Sequence, residues 1–124
     1  MGSAQTDVIF ALAVTDEDGA FRQLVITGRE EVTLSRRERG GKLRTKSVRC
    51  RPREVRRFLA GLDRIGLVEW QRAYGDPFGS GGWVLLLEAG GRMEKWQGAG
   101  EKPPQWEGLC KLVRELTGEE FELV

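Results

Sequence analysis

Hydrophobic and polar residues alternate along the first half of the chain in the way that strands of a half-buried sheet require. Between residues 8 and 14 the larger apolar side chains, Val8, Phe10, Leu12 and Val14, occupy every second position. Such a period of two predicts a β-strand with one face on the core. Similar alternation predicts further strands over residues 21–27, 31–35 and 43–48.

The apolar period changes from two to that of a helix after Pro52, a residue well suited to the first turn of a helix. The recurring apolar positions are Val55, Phe58, Leu59, Leu62 and Ile65. Gly66 is expected to end this helix. A second helix is predicted from about Pro104, with Gly118 just beyond its C-terminal end.

Two apolar-rich runs flank Gly90-Gly91, and this pattern predicts a β-hairpin over residues 83–96. Trp83, Leu85 and Leu87 fall on one face of the first run, whereas Val84 and Leu86 fall on the other. Because both faces are apolar, we expect this strand to lie in the middle of the sheet. Residues 67–72 are predicted to form one more strand before the hairpin.

These elements predict a single α+β domain spanning residues 1–124. Its antiparallel sheet has about six or seven strands, two helices cover one face, and the element order is β-β-β-β-α-β-β-β-α. A length of 124 residues suits one domain with its own core. No apolar run approaches the ~20 residues of a membrane span, and no signal peptide is visible, so we expect a cytoplasmic protein without a membrane partner.

The tryptophans lie in a characteristic order in the second half of the chain. The motif elements are Trp70-x-x-x-Tyr74, Asp76-Pro77, Gly81-x-Trp83-x-Leu85, and Gly98 followed by Pro103 and Trp106. This pattern resembles a family of small bacterial proteins of unknown function. The resemblance covers only the C-terminal half, and it implies a bacterial protein and a shared fold but no particular activity.

Composition removes several kinds of chemistry. The chain has no histidine, which excludes His-based catalytic triads, His-ligated zinc and the usual general base near neutral pH. Its two cysteines, Cys50 and Cys110, are too few for a structural zinc site made of side chains or a disulfide scaffold. We therefore predict no metal, no cofactor and no catalytic residue, and an interaction protein is favoured over an enzyme.

Charge is distributed very unevenly along the sequence. Between residues 36 and 57 there are eleven Lys or Arg residues against two Glu, a net charge of +9, whereas the remainder carries −8. The near-neutral total hides this asymmetry, which decides the choice of partners. We expect an anionic partner, either nucleic acid or an acidic protein, and the sequence leaves the oligomeric state open.

The basic segment is the first candidate binding site. If Gly40-Gly41 forms a two-residue turn, Arg39 faces Lys42 and Arg37 faces Arg44, and facing like charges destabilise a sheet. Such a conflict is typical of functional surfaces. In the alternative interpretation, these side chains extend into water and pair with acidic residues elsewhere. The candidate residues are Arg36, Arg37, Arg39, Lys42, Arg44 and Lys46 on the hairpin, and Arg53 and Arg57 on the helix.

A second hypothesis is a small enzyme or ligand-binding protein that uses a cleft between the loops 74–82 and 98–103. Tyr74, Asp76 and Phe78 are the candidate residues of that cleft. The tryptophans could stack on bases or sugars, but burial in the core is the commoner fate of Trp on alternating strands. Cys50, between two arginines, could be an activated thiol, although a structural thiol is favoured because no histidine can serve as its base.

Overall fold

The computed structural model describes residues 8–16, 19–28, 31–70, 72–75, 82–89, 91–99 and 102–119. They form seven strands, two α-helices and one 3₁₀ turn. The strands are β1 (Val8–Thr15), β2 (Phe21–Thr27), β3 (Val32–Arg37), β4 (Arg44–Val48), β5 (Ala73–Gly75), β6 (Gly82–Ala89) and β7 (Arg92–Ala99). The helices are α1 (Pro52–Arg64) and α2 (Trp106–Thr117), and the 3₁₀ turn is Leu67–Glu69.

All seven strands belong to one sheet, in the order β4-β3-β2-β1-β6-β7-β5. Six of them pair in antiparallel fashion, while the short β5 lies parallel to β7. The predicted α+β class and element order are confirmed. The parallel pairing of β5 is a departure from a purely antiparallel sheet.

The strand predicted over residues 67–72 is wrong. Leu67 and Trp70 are both buried, but they belong to a 3₁₀ turn and the residue that caps it. Residues three apart lie on the same side of a 3₁₀ turn, so one turn buries both side chains. The strand itself begins later, at Ala73.

One face of the sheet carries the core, because alternate residues of the central strands meet the helices there. Phe10 and Leu12 of β1 lie opposite Leu87 and Leu85 of β6, and the ring of Phe58 from α1 meets Phe10 edge-on at 5.0 Å. The buried residues of both helices belong to the same cluster. This arrangement confirms two helices on one face, with β6 in the interior of the sheet as predicted.

The tryptophan hairpin is confirmed. Leu85 lies opposite Trp96, and a two-residue connection joins β6 to β7. All four tryptophans are buried, and the indole rings of Trp70 and Trp106 pack on Trp83 at 6.4 and 5.2 Å. The tryptophans are therefore core residues, and none offers an exposed ring face for stacking.

The two helices touch through glycines. A Cβ atom placed on Gly61 of α1 would lie 2.4 Å from Cδ2 of Leu112 in α2, and one on Gly108 would lie 3.0 Å from Cγ2 of Ile65. Contacts below 3.0 Å force the neighbour to move. The absence of a side chain at Gly61 thus leaves room for the end of the Leu112 side chain between the helices.

Replacing Gly61 with Val should lower the free energy of unfolding by about 1 to 3 kcal/mol, because the added side chain overlaps Leu112. Urea denaturation provides the measurement. Ala60→Val is the matched control, since Ala60 is its exposed neighbour in the same helix. Leu112→Ala should recover part of the loss in the double variant. If the two valine variants have equal midpoints, the close contact between Gly61 and Leu112 does not limit the packing of the helices.

Candidate functional site

The basic hairpin consists of β3, β4 and the loop 38–43 that joins them. Its turn is closed by a hydrogen bond of 2.8 Å from the Gly41 N–H to the Glu38 carbonyl oxygen. Gly40 has a φ of +71°, so Arg39 and Gly40, rather than the two glycines, occupy the central positions. The predicted two-residue turn at Gly40-Gly41 is wrong, because β3 ends at Arg37 and β4 begins at Arg44, so the connection between the strands spans residues 38–43.

The longer loop shifts the register of the hairpin by one residue. Arg36, not Arg37, lies opposite Arg44, and Lys42 belongs to no strand pair. A shift of one residue exchanges the two faces of a strand. Arg36, Arg44 and Lys46 therefore share the helix-covered face, while Arg37 points to the other one.

The register also creates a row of three arginines across the sheet. Arg22 of β2 lies opposite Arg36, which in turn lies opposite Arg44. Arg36 thus has a like charge on each side, and this arrangement destabilises the sheet unless anions neutralise the row. The facing like charges predicted from the sequence are thus present, although with different partners.

Glu38 neutralises the inner part of this row. Its Oε1 atom accepts hydrogen bonds from Arg22 Nη2 at 2.9 Å and from Arg36 Nη2 at 2.8 Å. The hydrogen bond from Arg36 and the charge of Arg22 lower the pKa of Glu38 below its ordinary value. The carboxylate therefore stays ionised and neutralises the two arginines on β2 and β3. Arg44 takes no part in this pairing.

Glu119 forms ion pairs with a second part of the hairpin. This residue follows the C-terminal end of α2, and its carboxylate pairs with Lys46 and lies 3.8 Å from Arg36. Cations are favoured near the C-terminal end of a helix because the helix dipole is negative there. Arg36 and Lys46 therefore have a counter-ion within the protein, at the C-terminal end of α2, and this contact explains their charge without a partner molecule.

Arg37, on the opposite face, has a different contact. Its Nε and Nη2 atoms lie 3.4 and 3.3 Å from the carbonyl oxygen of Gly19, in the turn between β1 and β2. A neutral carbonyl accepts these hydrogen bonds without cancelling the charge. Arg37 therefore remains a positive site at the end of the hairpin.

Arg39, Lys42 and Arg44, called the tip cations below, are all exposed. No carboxylate of the described residues lies within ion-pairing distance of them. Arg53 and Arg57 are likewise exposed on α1, and Arg57 lines a groove of about 390 Å³ between the two helices. The tip cations lie at or before the first residue of β4, and the α1 arginines follow its last residue. Because β4 is about 13 Å long, the structure does not bring the candidates into one compact pocket.

Several residues of this surface were absent from the sequence-based set, among them Arg22, Glu119 and Leu43. Arg22 and Glu119 join it only through pairings between distant parts of the chain. Leu43, immediately before β4, is 56 % exposed and places a large apolar side chain beside the tip cations. Its position between Lys42 and Arg44 could have indicated an apolar residue within the basic surface. The assumed alternation instead placed Leu43 in a strand.

Two of the three proposed cleft residues, Asp76 and Phe78, lie outside the described residues. The third, Tyr74, belongs to β5, and only its backbone is described. Close by, Arg72 stacks over the ring of Trp96 at 4.3 Å and pairs with Glu94 at 2.6 Å. The alternative based on a ligand cleft therefore stays a prediction.

Cys50 is not an activated thiol. Its Sγ lies 3.6 Å from the carbonyl oxygen of Leu116, and burial, together with the charge of Glu54, raises its pKa above the ordinary value. A raised pKa reduces the thiolate fraction, opposite to the expectation from the flanking arginines. No disulfide joins Cys50 to Cys110.

A scan of known protein families found no match to this chain, and a search of curated proteins found no significant relative. The resemblance to small bacterial proteins of unknown function therefore stays a prediction. Within the described ranges, neither helix is long and apolar enough to cross a membrane. The same residues contain no cluster of three or more acidic or cysteine side chains that could hold a metal ion.

Proposed function

We propose that this protein is a non-enzymatic, cytoplasmic interaction module of a bacterial cell that contacts an anionic partner. The contact surface consists of the tip cations and Arg37, and the arginines of α1, Arg53 and Arg57, form a separate basic patch that follows the other end of β4. Binding is reversible and electrostatic, and it involves no covalent step.

The state of the tip cations is the observation that carries this proposal. The chain holds 19 acidic residues, and two of them, Glu38 and Glu119, already lie beside the hairpin. These carboxylates pair with Arg22, Arg36 and Lys46 and leave Arg39, Lys42 and Arg44 exposed. If pairing with the acidic remainder explained the basic segment, the tip cations would be the first to be neutralised.

The test is the triple variant Arg39→Gln, Lys42→Gln, Arg44→Gln. Three of the four positive sites at this end of the hairpin are lost, so affinity for duplex DNA at about 50 mM salt should fall at least roughly tenfold. Stability should be equal or slightly higher, because Arg44 no longer faces Arg36. Fluorescence anisotropy with DNA, RNA and polyglutamate measures the binding, and thermal melting measures the stability.

The matched control removes three exposed cations elsewhere: Arg92→Gln, Lys95→Gln, Lys111→Gln. Two of these residues lie on β7, five places across the sheet from β4. Net charge changes equally in both variants, so a loss confined to the tip variant locates the contact. Equal losses would mean that only net charge matters, and no binding of any polyanion by the parent protein would remove the proposal.

A further inference from the structure

β4 is the outermost strand of the sheet and has an unpaired edge within the described part of the chain. It pairs with β3 on one side, and no described strand lies on the other. Four of its five residues are exposed. An edge strand of this kind presents outward-pointing N–H and C=O groups to any extended chain that can pair with it.

The side chains of β4 restrict which chain can pair there. Arg44 and Lys46 lie on one face, and Thr45 and Ser47 lie on the other. A second copy of β4 would bring further cations against Arg44 and Lys46, and an uncharged strand would supply no carboxylate to Arg44. Charged residues on an edge normally prevent pairing, but the same charges favour a strand that carries carboxylates at alternate positions.

The exposed side chain of Leu43 distinguishes a peptide from a nucleic acid. A phosphate backbone can form ion pairs with the cations, but it provides no apolar contact for an isolated exposed leucine. A peptide strand can supply an apolar side chain to Leu43 and carboxylates to the cations at the same time. Its hydroxyl or β-branched residues would lie beside Thr45 and Ser47 on the other face.

We infer that β4 is a docking edge for an extended acidic peptide segment of a partner protein, which adds to the sheet as an eighth strand. This inference rests on the proposed function and specifies its partner. Backbone hydrogen bonds to the edge supply part of the affinity, and carboxylates facing Arg44 supply the selectivity. Lys46 stays paired with Glu119 and contributes less.

The experiment compares three short fluorescein-labelled peptides on the full chain. The first alternates Glu with Thr or Val, the second has the same composition with its Glu residues clustered, and the third is the first with its central amides N-methylated. N-methylation keeps every charge but removes the donors that an added strand needs. Because each lost hydrogen bond is worth about 1 kcal/mol, the third peptide should bind at least roughly tenfold more weakly than the first.

Hydrogen exchange and one protein variant provide independent measurements. The alternating peptide should protect alternate amides of β4, a period of two that a purely electrostatic contact does not produce. Arg44→Glu should weaken this peptide at least roughly tenfold, while Arg92→Glu, the same charge reversal on β7, should change its affinity less than about twofold. The clustered peptide should bind more weakly than the alternating one.

The possible failures are separable. If all three peptides bind equally, the contact is one of charge alone; the strand docking is then overturned and the proposed function stands. Tight binding of DNA or RNA without binding of the alternating peptide would assign the surface to nucleic acid. Protection of β4 that grows with protein concentration in the absence of peptide would assign the edge to a second copy. If neither peptides nor polyanions bind, both proposals fall.

Discussion

Trp96→Ala should lower the free energy of unfolding by about 3 to 5 kcal/mol, the cost typical of truncating a large buried aromatic residue. Trp96 is fully buried, and it lies opposite Leu85 in the middle of the core face. Its indole N–H is buried without a hydrogen-bond acceptor within the described structure. The loss therefore arises from the cavity and from apolar contacts rather than from a broken hydrogen bond.

The cation–π contact between Arg72 and the Trp96 ring adds to this cost. Chemical denaturation followed by far-ultraviolet circular dichroism measures the change, since fluorescence would lose one of its own reporters. Met93→Ala is the control, because Met93 lies on the same strand and is 46 % exposed; it should change stability by less than about 0.5 kcal/mol. A Trp96→Ala protein within about 1 kcal/mol of the parent would show that the hairpin is not a main part of the core.

Strands with one buried face were predictable from the sequence because burial imposes the period of two. β1 and β2 each carry such a face and lie at or near their predicted positions. The 3₁₀ turn was not predictable in this way, since its buried residues Leu67 and Trp70 fit a short apolar strand equally well. Short apolar runs carry too little periodicity to distinguish the two structures.

The predicted register of the basic hairpin was wrong for a related reason. β4 is almost entirely exposed, so no buried face fixes its pairing, and the prediction depended on the type of turn alone. Adjacent glycines permit several turns, and here only Gly40 adopts positive φ. The candidate residues were chosen by charge rather than by register, and all eight of them are exposed.

Which cations of that surface form ion pairs within the protein could not be predicted. Lys46 and Glu119 are separated by most of the chain, and their ion pair exists only because α2 ends over the β3–β4 pair. The same holds for Arg22, which reaches Glu38 through the pairing of β2 with β3. Such contacts decide which cations remain available to a partner, and local sequence does not contain that information.

The number of cations without an internal ion pair determines the expected salt dependence of binding. Five hairpin cations, namely Arg37, Arg39, Lys42, Arg44 and Lys46, would give a slope of log affinity against log salt of about −4.5 with duplex DNA. Because Lys46 pairs with Glu119, we expect four contacts and a slope of about −3.6, equivalent to a loss of roughly 150-fold between about 50 and 200 mM salt. Anisotropy titrations at several salt concentrations measure the slope.

Glu119→Gln should make that slope steeper, to about −4.5, because the substitution releases Lys46 to neutralise one more phosphate. Glu94→Gln is the matched control: it removes an equal charge and frees Arg72, which lies near β7 on the far side of the sheet, so the slope should stay near about −3.6. A parent slope already near about −4.5 that Glu119→Gln leaves unchanged would mean that Lys46 contacts DNA despite its ion pair. A slope close to zero would mean that counterion release does not drive binding, and the tip cations would then no longer explain the contact.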